Sequence, residues 1–277
     1  MRPGTPRLSG DGLTLAYDRR TIAERLTVAV PDRSFTVVIG PNACGKSTLL
    51  RALARMLKPT AGTVLLDGRD IHAQPARRVA RTLGLLPQTS IAPDGITVAE
   101  LVARGRYPHQ GLLRQWSRDD ERIVGESMAA TGVADLADRL VDELSGGQRQ
   151  RVWIAMALAQ QTELLLLDEP TTFLDIAHQI EVLDLCATLH EEQGRTLVAV
   201  LHDLNQAARY ASHLIAMRDG QVVAAGPPRA IVTADLVERV FGLPCRVIDD
   251  PETGSPLVVP AARRVPTASA VVPIIDA

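Results

Sequence analysis

The sequence has few cysteines, few aromatic residues and almost no net charge. Its 277 residues include three cysteines, and aromatic residues make up 3% of the chain. Cys44, Cys186 and Cys245 are odd in number and unrelated in spacing, which argues against a disulfide framework and against a zinc site. The formal net charge of −2 provides no overall attraction to nucleic acid. We therefore expect reduced intracellular thiols and no nucleic-acid partner.

Long apolar runs are also missing. No run approaches the ~18 residues that a membrane-spanning helix requires, and the N-terminal stretch MRPGTPRLSGDG lacks the apolar centre of a signal peptide. Hydrophobic residues still make up 46% of the chain, which is enough for a sizeable core in one large domain or two small ones. We expect a cytoplasmic protein that acts at a membrane only through a partner.

Two kinds of secondary-structure pattern follow one another along the chain. Short β-branched runs between turn residues predict strands in the first part, and helical spacing starts at Lys46. Residues 89–143 contain few strand-like runs and predict an inserted helical subdomain. Further on, helical patterns alternate with apolar strands, which is typical of a parallel sheet covered on both faces. The predicted strands are 12–17, 25–30, 34–40, 62–68, 164–170 and 196–203, and the later predicted helices are 146–160, 174–192 and one ending near Ala211.

The stretch GPNACGKST fits the phosphate-loop pattern G-x-x-x-x-G-K-[ST]. It follows an apolar strand and opens a helix, so its backbone N–H groups and the helix N-terminus can hold the α- and β-phosphates of ATP. Lys46 supplies positive charge to the β- and γ-phosphates, and the Ser47 hydroxyl is a ligand for Mg²⁺. The predicted ATP-binding residues of this loop are Gly40, Pro41, Asn42, Ala43, Cys44, Gly45, Lys46, Ser47 and Thr48.

The stretch LLLLDEP predicts the other part of the metal site. Four apolar residues bury the strand, so Asp168 emerges at its carboxyl end, where parallel sheets bind their ligands. We expect Asp168 to hold Mg²⁺ directly or through water. Glu169 follows it and is predicted to polarise the water that attacks the γ-phosphate.

These residues, together with LSGGQ, resemble the nucleotide-binding subunit of ABC transporters over residues 11 to about 245. The resemblance implies an α/β P-loop NTPase fold with a mainly parallel central sheet, an N-terminal antiparallel β-subdomain and an inserted helical subdomain at about 89–160. Residues 246–277 would be a C-terminal extension with a small hairpin, and about its last fifteen residues are expected to be mobile.

The LSGGQ stretch supports two statements about its residues. Taken alone, Ser145 and Gln148 predict a capping box at a helix start. In the family this signature contacts the γ-phosphate of ATP bound to the other subunit of a dimer, so the resemblance implies a homodimer that sandwiches ATP. The signature residues expected to bind ATP are Ser145, Gly146, Gly147 and Gln148.

Four further positions resemble family residues. Tyr17 resembles the aromatic residue that stacks on adenine, although a tyrosine buried in the core at a strand end would give the same sequence pattern. Gln88 resembles the glutamine that joins the metal site to the helical subdomain, and we expect it to bind both nucleotide and Mg²⁺. Asp175 resembles the aspartate that contacts the partner subunit, and His202 the histidine that reaches the γ-phosphate. The predicted catalytic residues are Glu169, His202 and Lys46, and the predicted metal ligands are Ser47, Gln88 and Asp168.

The loop departs from the family pattern at one position. Ala43 replaces a glycine and would be strained if that position needs a positive φ angle. We expect the replacement to be harmless because the rest of the motif is intact. Cys44 lies among backbone donors and near Lys46, which predicts a thiol of lowered pKa and raised reactivity.

The cargo is predicted by resemblance alone. Residues 104–116, 202–220 and 240–260 look like the matching stretches in ATPases of the importers for iron-siderophore complexes, haem and cobalamin. We expect a peripheral protein at the cytoplasmic face of the cell membrane that powers import of a ferric siderophore, or else of haem or cobalamin, through a permease, with a substrate-binding protein as an indirect partner. Arg106 and Tyr107 are expected to contact the permease.

Two alternatives differ in function class. A soluble ABC-type ATPase acting on nucleic acid or ribosomes usually carries two cassettes or a long coiled-coil insertion, and this chain has neither. A regulatory module that barely hydrolyses nucleotide is disfavoured because Glu169 and His202 are both present.

Overall fold

The computed structural model describes residues 6–18, 20–88, 91–111 and 116–262. An antiparallel sheet is built by the first strands, in the order β2-β1-β4-β5. Burial alternates along β1 because one face of this sheet lies on the core and the other faces solvent. These strands are β1 (Leu8–Tyr17), β2 (Arg20–Val30), β4 (Ala61–Leu66) and β5 (Arg69–Asp70).

A second sheet lies at the centre of the molecule, in the order β10-β9-β3-β8-β7-β6. All of its neighbouring strands are parallel except β10, which pairs antiparallel with β9 at the edge. Its strands are β3 (Phe35–Ile39), β6 (Leu83–Leu86), β7 (Leu164–Asp168), β8 (Thr196–Val200), β9 (His213–Arg218) and β10 (Gln221–Gly226). Every residue of β7 is buried, since apolar cores cover both faces of the sheet.

Helices surround the central sheet and follow the ends of its strands. The strands β3, β7 and β8 lead to α1, α6 and α7, so the loops before these helices meet at one edge of the sheet. No helix in the described ranges is long and apolar enough to cross a membrane. The helices are α1 (Lys46–Leu53), α2 (Ala76–Thr82), α3 (Val98–Ala103), α4 (Arg118–Ala130), α5 (Gly146–Ala159), α6 (Ile176–Glu191), α7 (Leu204–Tyr210), α8 (Pro228–Ile231) and α9 (Ala234–Phe241).

The described part of the chain between β6 and β7 is helical. It contains the helices α3, α4 and α5 and short 3₁₀ turns. One isolated β-bridge joins Thr97 to Leu140. Each of the three helices begins with a capping box, in which a hydroxyl accepts from a backbone N–H and a side-chain carbonyl or carboxylate accepts in return.

A buried ion pair holds these helices together. Arg106 is 3% exposed and Asp120 2%, and the guanidinium Nε donates to the carboxylate at 2.8 Å. Arg106 also donates to the carbonyl oxygen of Ala159 at 2.8 Å, which ties the start of α4 to the end of α5. The expectation that Arg106 contacts a permease is therefore wrong, because its side chain lies inside the protein.

The chain continues into a C-terminal hairpin of β11 (Cys245–Asp249) and β12 (Pro256–Pro260). The Asn205 side chain accepts from the Val258 N–H at 2.7 Å and donates to the Val258 carbonyl at 3.2 Å, so α7 holds the hairpin like a neighbouring strand. The predicted mobility of the last fifteen residues concerns residues 263–277, which lie outside the described ranges.

Candidate active site

A cleft of about 520 Å³ lies at the carboxyl edge of the central sheet. It brings together the phosphate loop (residues 40–48), Gln88 after β6, Glu169 after β7 and His202 after β8. Distant parts of the sequence meet here because parallel strands present their carboxyl ends at one edge. The lining residues are Arg20, Ile22, Asn42, Ala43, Gly45, Lys46, Ser47, Thr48, Gln88, Glu169 and His202.

Glycine is required at two positions of the phosphate loop. Gly40 has φ 153, and a Cβ there would lie 2.2 Å from the carbonyl oxygen of Met217. Gly45 has φ 102 and precedes α1, where no side chain caps the helix. The first N–H groups of α1 are therefore open to an anion in the cleft.

Lys46 is held by the loop that it serves. Its Nζ donates to the carbonyl oxygens of Gly40 and Pro41, both at 2.8 Å, and the residue is 5% exposed. The loop thus holds a positive charge beside the cleft. There phosphate oxygens can accept hydrogen bonds from the Lys46 ammonium group, in place of the two carbonyl oxygens or together with them.

Ala43 adopts the left-handed conformation, with φ 61. The expectation that its replacement of glycine is harmless is therefore wrong, because this conformation costs an L-residue roughly 1–2 kcal/mol. Ala43 faces the cleft, so the strain lies within the loop that would hold phosphate.

We expect Ala43→Gly to raise the free energy of unfolding by about 1 kcal/mol, since glycine relieves the strain but gains freedom in the unfolded chain. Urea unfolding measures this change. The control is Ala129→Gly in α4, which should lower stability by about 0.5–1 kcal/mol because glycine is a poor helix former. If both variants lower the free energy of unfolding, the backbone of Ala43 is not strained.

The Cys44 thiol differs from the sequence prediction in its burial and in the direction of its pKa shift. The residue is 6% exposed and packs in the apolar core under the antiparallel sheet, outside the lining of the cleft. Burial raises the pKa of the Cys44 thiol, and the opposing effect of Lys46 is smaller. The predicted lowering of the pKa is wrong, because loop position does not reveal that the thiol points into the core.

Ser47 and Asp168 form a pair of hard oxygen donors. The Ser47 hydroxyl donates to Asp168 Oδ1 at 2.9 Å, and Asp168 is 1% exposed. Burial raises the pKa of Asp168 despite that hydrogen bond, so this carboxylate gains from a nearby cation. Among the described residues no cluster of three or more His, Cys, Asp or Glu could hold a metal. The pair fits Mg²⁺, which commonly binds one or two carboxylates and completes its shell with phosphate and water.

The Glu169 carboxylate is fixed by three neighbours. Its Oε1 lies 2.8 Å from His202 Nε2, Thr172 Oγ1 donates to Oε2 at 3.3 Å, and Gln88 donates a further hydrogen bond. Burial opposes its charge most strongly, but the hydrogen bonds from His202, Gln88 and Thr172 together lower the pKa of Glu169. The site therefore holds an oriented, ionised carboxylate beside the phosphate loop.

The signature segment, residues 145–148, lies outside the lining of this cleft. Its predicted capping box is confirmed, since Ser145 Oγ accepts from the Gln148 N–H at 3.2 Å and Gln148 Oε1 accepts from the Ser145 N–H at 3.1 Å. Ser145 is exposed, and Phe173, whose Cβ would lie 3.7 Å from a Cβ at Gly146, is 78% exposed. One chain therefore presents a second helix N-terminus on an open, partly apolar surface.

Tyr17 and Asp175 also lie outside the lining of the cleft. Tyr17 is 39% exposed at the end of β1, and its hydroxyl accepts from Arg51 at 3.3 Å. This exposure disfavours a core tyrosine, and stacking on adenine stays a prediction. Asp175 caps α6 by accepting from the His178 N–H at 2.9 Å, and its contact with a partner also stays a prediction.

Sequence reasoning missed two residues of the cleft, Arg20 and Ile22. Both lie at the start of β2, whose pairing places Arg20 opposite Tyr17. They belong to no motif. The signal that could have found them is their position in the sequence shortly after Tyr17, the residue expected to stack on adenine.

Comparison with known proteins assigns the family. A sequence model described as ABC transporter matches residues 23–172, which is more than half of the chain. The chain belongs to the ABC transporter family. The family assignment confirms the resemblance found in the sequence, the predicted α/β P-loop fold and the predicted ATPase.

Relatives and solved structures agree with this assignment. The ABC ATPase is 58% identical over 267 residues to the ferric enterobactin transport ATP-binding protein of Escherichia coli (strain K12), covering 96% of this chain and 98% of that relative. It is 53% identical over 260 residues to the achromobactin transport ATP-binding protein of Dickeya dadantii (strain 3937), covering 94% and 97%. An ATP-binding cassette solved as a dimer with ADP and Pi is 27% identical, with a TM-score of 0.72 over 79% of this chain and 98% of that chain. The alternative of a soluble ATPase acting on nucleic acid is not favoured.

Proposed function

We propose that this ABC ATPase powers the import of a ferric siderophore through a membrane permease. The proposal rests on the 58% sequence identity to a ferric enterobactin transport ATP-binding protein, which extends over nearly the whole of both chains. The ATPase would lie at the cytoplasmic face of the cell membrane, held there by the permease, and a substrate-binding protein would deliver the cargo. We also propose the division into an ATPase domain at 11–245, with its helical subdomain at about 89–160, and an extension at 246–277.

The phosphate loop would bind the nucleotide and its metal ion. Backbone N–H groups before and at the start of α1 face the phosphates, and Lys46 places its charge beside them. Ser47 and Asp168 would hold Mg²⁺, which when bound neutralises charge on the β- and γ-phosphates. Gln88 lines the same cleft and would approach the metal while keeping its hydrogen bond to Glu169.

Glu169 would orient and polarise the attacking water. Its ionised carboxylate would accept a proton from that water as the water oxygen bonds to the γ-phosphorus and the bond from that phosphorus to the bridging oxygen breaks, so that ADP leaves. His202 Nε2 lies 2.8 Å from this carboxylate and the side chain is half exposed, so its N–H can hold Glu169 before ATP binds and would turn to the γ-phosphate when the nucleotide is present. Arg20 lines the same cleft and would add positive charge there.

A second copy of the chain would complete the site. The Ser145 end of α5 is open to solvent and is not part of the cleft lining of its own chain, while helix N-termini favour anions. In a homodimer each Ser145 end would face the γ-phosphate held by the partner, with Asp175 and the exposed Phe173 at the interface. Two ATP molecules would then be shared by two chains.

A groove of about 640 Å³ is the proposed docking site for the permease. It lies between the end of α1, α2, β6 and α5, and its walls are mainly apolar. Met56 is 71% exposed and Ile91 86% exposed on this groove, and Trp153 lies at its base. Exposed apolar side chains on a concave surface fit an amphipathic helix, here a cytoplasmic helix of the permease.

Uptake by cells that lack the endogenous ATPase tests the proposal. The wild-type chain should restore import of a radiolabelled ferric siderophore and leave haem and cobalamin import unchanged. Ile91→Asp should reduce that import about tenfold or more, because a carboxylate would replace an apolar side chain at the centre of the docking surface. ATP binding by the isolated variant should be unchanged.

The matched control is Ile248→Asp. Ile248 is 50% exposed on the C-terminal hairpin, away from the groove, so this variant should import normally. Restored import of haem or cobalamin would overturn the proposed cargo. Equal import by the Ile91 and Ile248 variants would overturn the docking site.

A further inference from the structure

Two glutamines connect the active-site cleft to the signature segment within one chain. Gln206 Nε2 in α7 donates to Gln179 Oε1 in α6 at 3.0 Å. Gln179 Nε2 in turn donates to the carbonyl oxygen of Leu174 at 3.0 Å. The Gln179 amide is therefore used at both ends and bridges two segments that are distant in sequence.

One end of this bridge leads to the cleft. His202 contacts Glu169, and the next residue, Asp203, caps α7 by accepting from the N–H groups of Asn205 and Gln206 at 2.8 and 2.9 Å. The first turn of α7 is thus fixed to the backbone that carries His202. A shift of His202 towards a γ-phosphate would move Gln206 with it.

The other end leads to the start of α5. Leu174 is 8% exposed, and a Cβ at Gly147 would lie 3.4 Å from Leu174 Cδ2, so the two segments are in close contact. Phe173 lies 3.7 Å from the equivalent position at Gly146. A displacement of the Leu174 backbone would therefore also displace the N-terminus of α5, which carries Ser145.

We propose that Gln179 is a positioning residue that couples the two ATP sites of the dimer. Through His202, α7 and Gln206, it transmits occupancy of the chain's own γ-phosphate site to Leu174 and to the Ser145 end of α5, which serves the other ATP. This inference rests on the proposed shared site. Gln179 itself touches no reacting atom.

Steady-state ATP hydrolysis by the full chain tests this coupling. The wild type should show a Hill coefficient clearly above unity, because one bound ATP prepares the site for the second. Gln179→Leu removes both hydrogen bonds at similar volume and should bring the Hill coefficient close to unity. The same variant should lower kcat about fivefold, at the low end of allosteric coupling factors. The Kd for ADP should be unchanged, since the phosphate loop is untouched.

Two further variants separate coupling from packing. Gln179→Glu keeps the size and the acceptor for Gln206 but cannot donate to the Leu174 carbonyl, so it should behave like Gln179→Leu. The double variant with Gln206→Leu should lose no more than the single variants, because the two bonds act in series. The matched control is Gln193→Leu, at an exposed residue with no side-chain hydrogen bond in the described part of the chain, and it should behave like the wild type.

Each outcome bears on one statement. A wild-type Hill coefficient near unity, a normal Gln179→Glu enzyme or additive losses in the double variant would overturn the coupling. A wild-type chain that fails to hydrolyse ATP would instead count against the proposed function. Gln150 bonds the Pro170 carbonyl at 3.2 Å independently of Gln179, so α5 stays attached to the end of β7 in every variant.

Discussion

Replacement of Glu169 by glutamine is expected to lower kcat for ATP hydrolysis by about 10²–10⁴ while ATP binding is retained. Glutamine has the same shape and can keep a hydrogen bond to Thr172 or His202, but it cannot accept the proton of the attacking water. Binding depends on the phosphate loop and on Lys46, which the change leaves intact. Turnover and equilibrium ATP binding, measured on the same preparation, separate the two effects.

The control for this prediction is Glu191→Gln, an exposed glutamate at the end of α6 that lies outside the cleft. It should hydrolyse ATP like the wild type. Because the pKa of Glu169 lies below its ordinary value of 4.5, the wild-type enzyme should lose this group's contribution only when the pH falls below that value. A Glu169→Gln enzyme with nearly normal kcat would show that another group activates the water.

Arg106→Ala is expected to lower the free energy of unfolding by about 3–5 kcal/mol. The substitution leaves the Asp120 carboxylate buried without its counter-charge, and it also removes a donor from the Ala159 carbonyl. Urea unfolding measures the loss. The control is Arg122→Ala, whose pairs with Asp119 and Glu126 are exposed and screened by water, so this variant should unfold almost like the wild type. Similar losses in the two variants would contradict the buried pair.

The same pair predicts a pH dependence of stability. Burial raises the pKa of Asp120, but hydrogen bonds from Arg106 and Ser117 outweigh it and lower the value from 3.8 to about 2. A folded pKa below the unfolded one stabilises the protein at pH values above 3.8, and that contribution is lost as the pH falls towards 2. In Arg106→Ala this acid-sensitive contribution should be much smaller, because the largest hydrogen bond that lowers the pKa is gone.

The sequence predicted the parts of the site that depend on local motifs. The phosphate loop, Asp168 and Glu169 follow apolar strands directly, and the fold rule for parallel sheets then places them at one edge. His202 and Gln88 were named through the family resemblance, and both line the cleft in the structure. Strand β1 was predicted too short because its first residues lie between turn-forming residues, and β9 and β10 were not predicted because their pairing is decided by distant strands.

Burial and backbone angles explain the wrong predictions. Arg106 lies in a stretch rich in arginine, which is typical of an exposed face, yet it is buried because Asp120 of α4 pairs with it inside the protein. Neither the φ angle of Ala43 nor the direction of the Cys44 thiol follows from the motif. The direction of the thiol depends on the core under the antiparallel sheet, which packs against Cys44 only in the folded chain.

The proposed sharing of ATP between two copies is the central claim, and the mass of Glu169→Gln by light scattering tests it most directly. At tens of micromolar protein, the variant should be monomeric without nucleotide and dimeric with saturating MgATP, since intact γ-phosphates hold each Lys46 loop against the partner's Ser145 helix. Adding Ser145→Arg should abolish the dimer and leave ATP binding to the monomer unchanged. A Glu169→Gln protein that stays monomeric with MgATP, or a dimer that tolerates Ser145→Arg, would contradict the shared site.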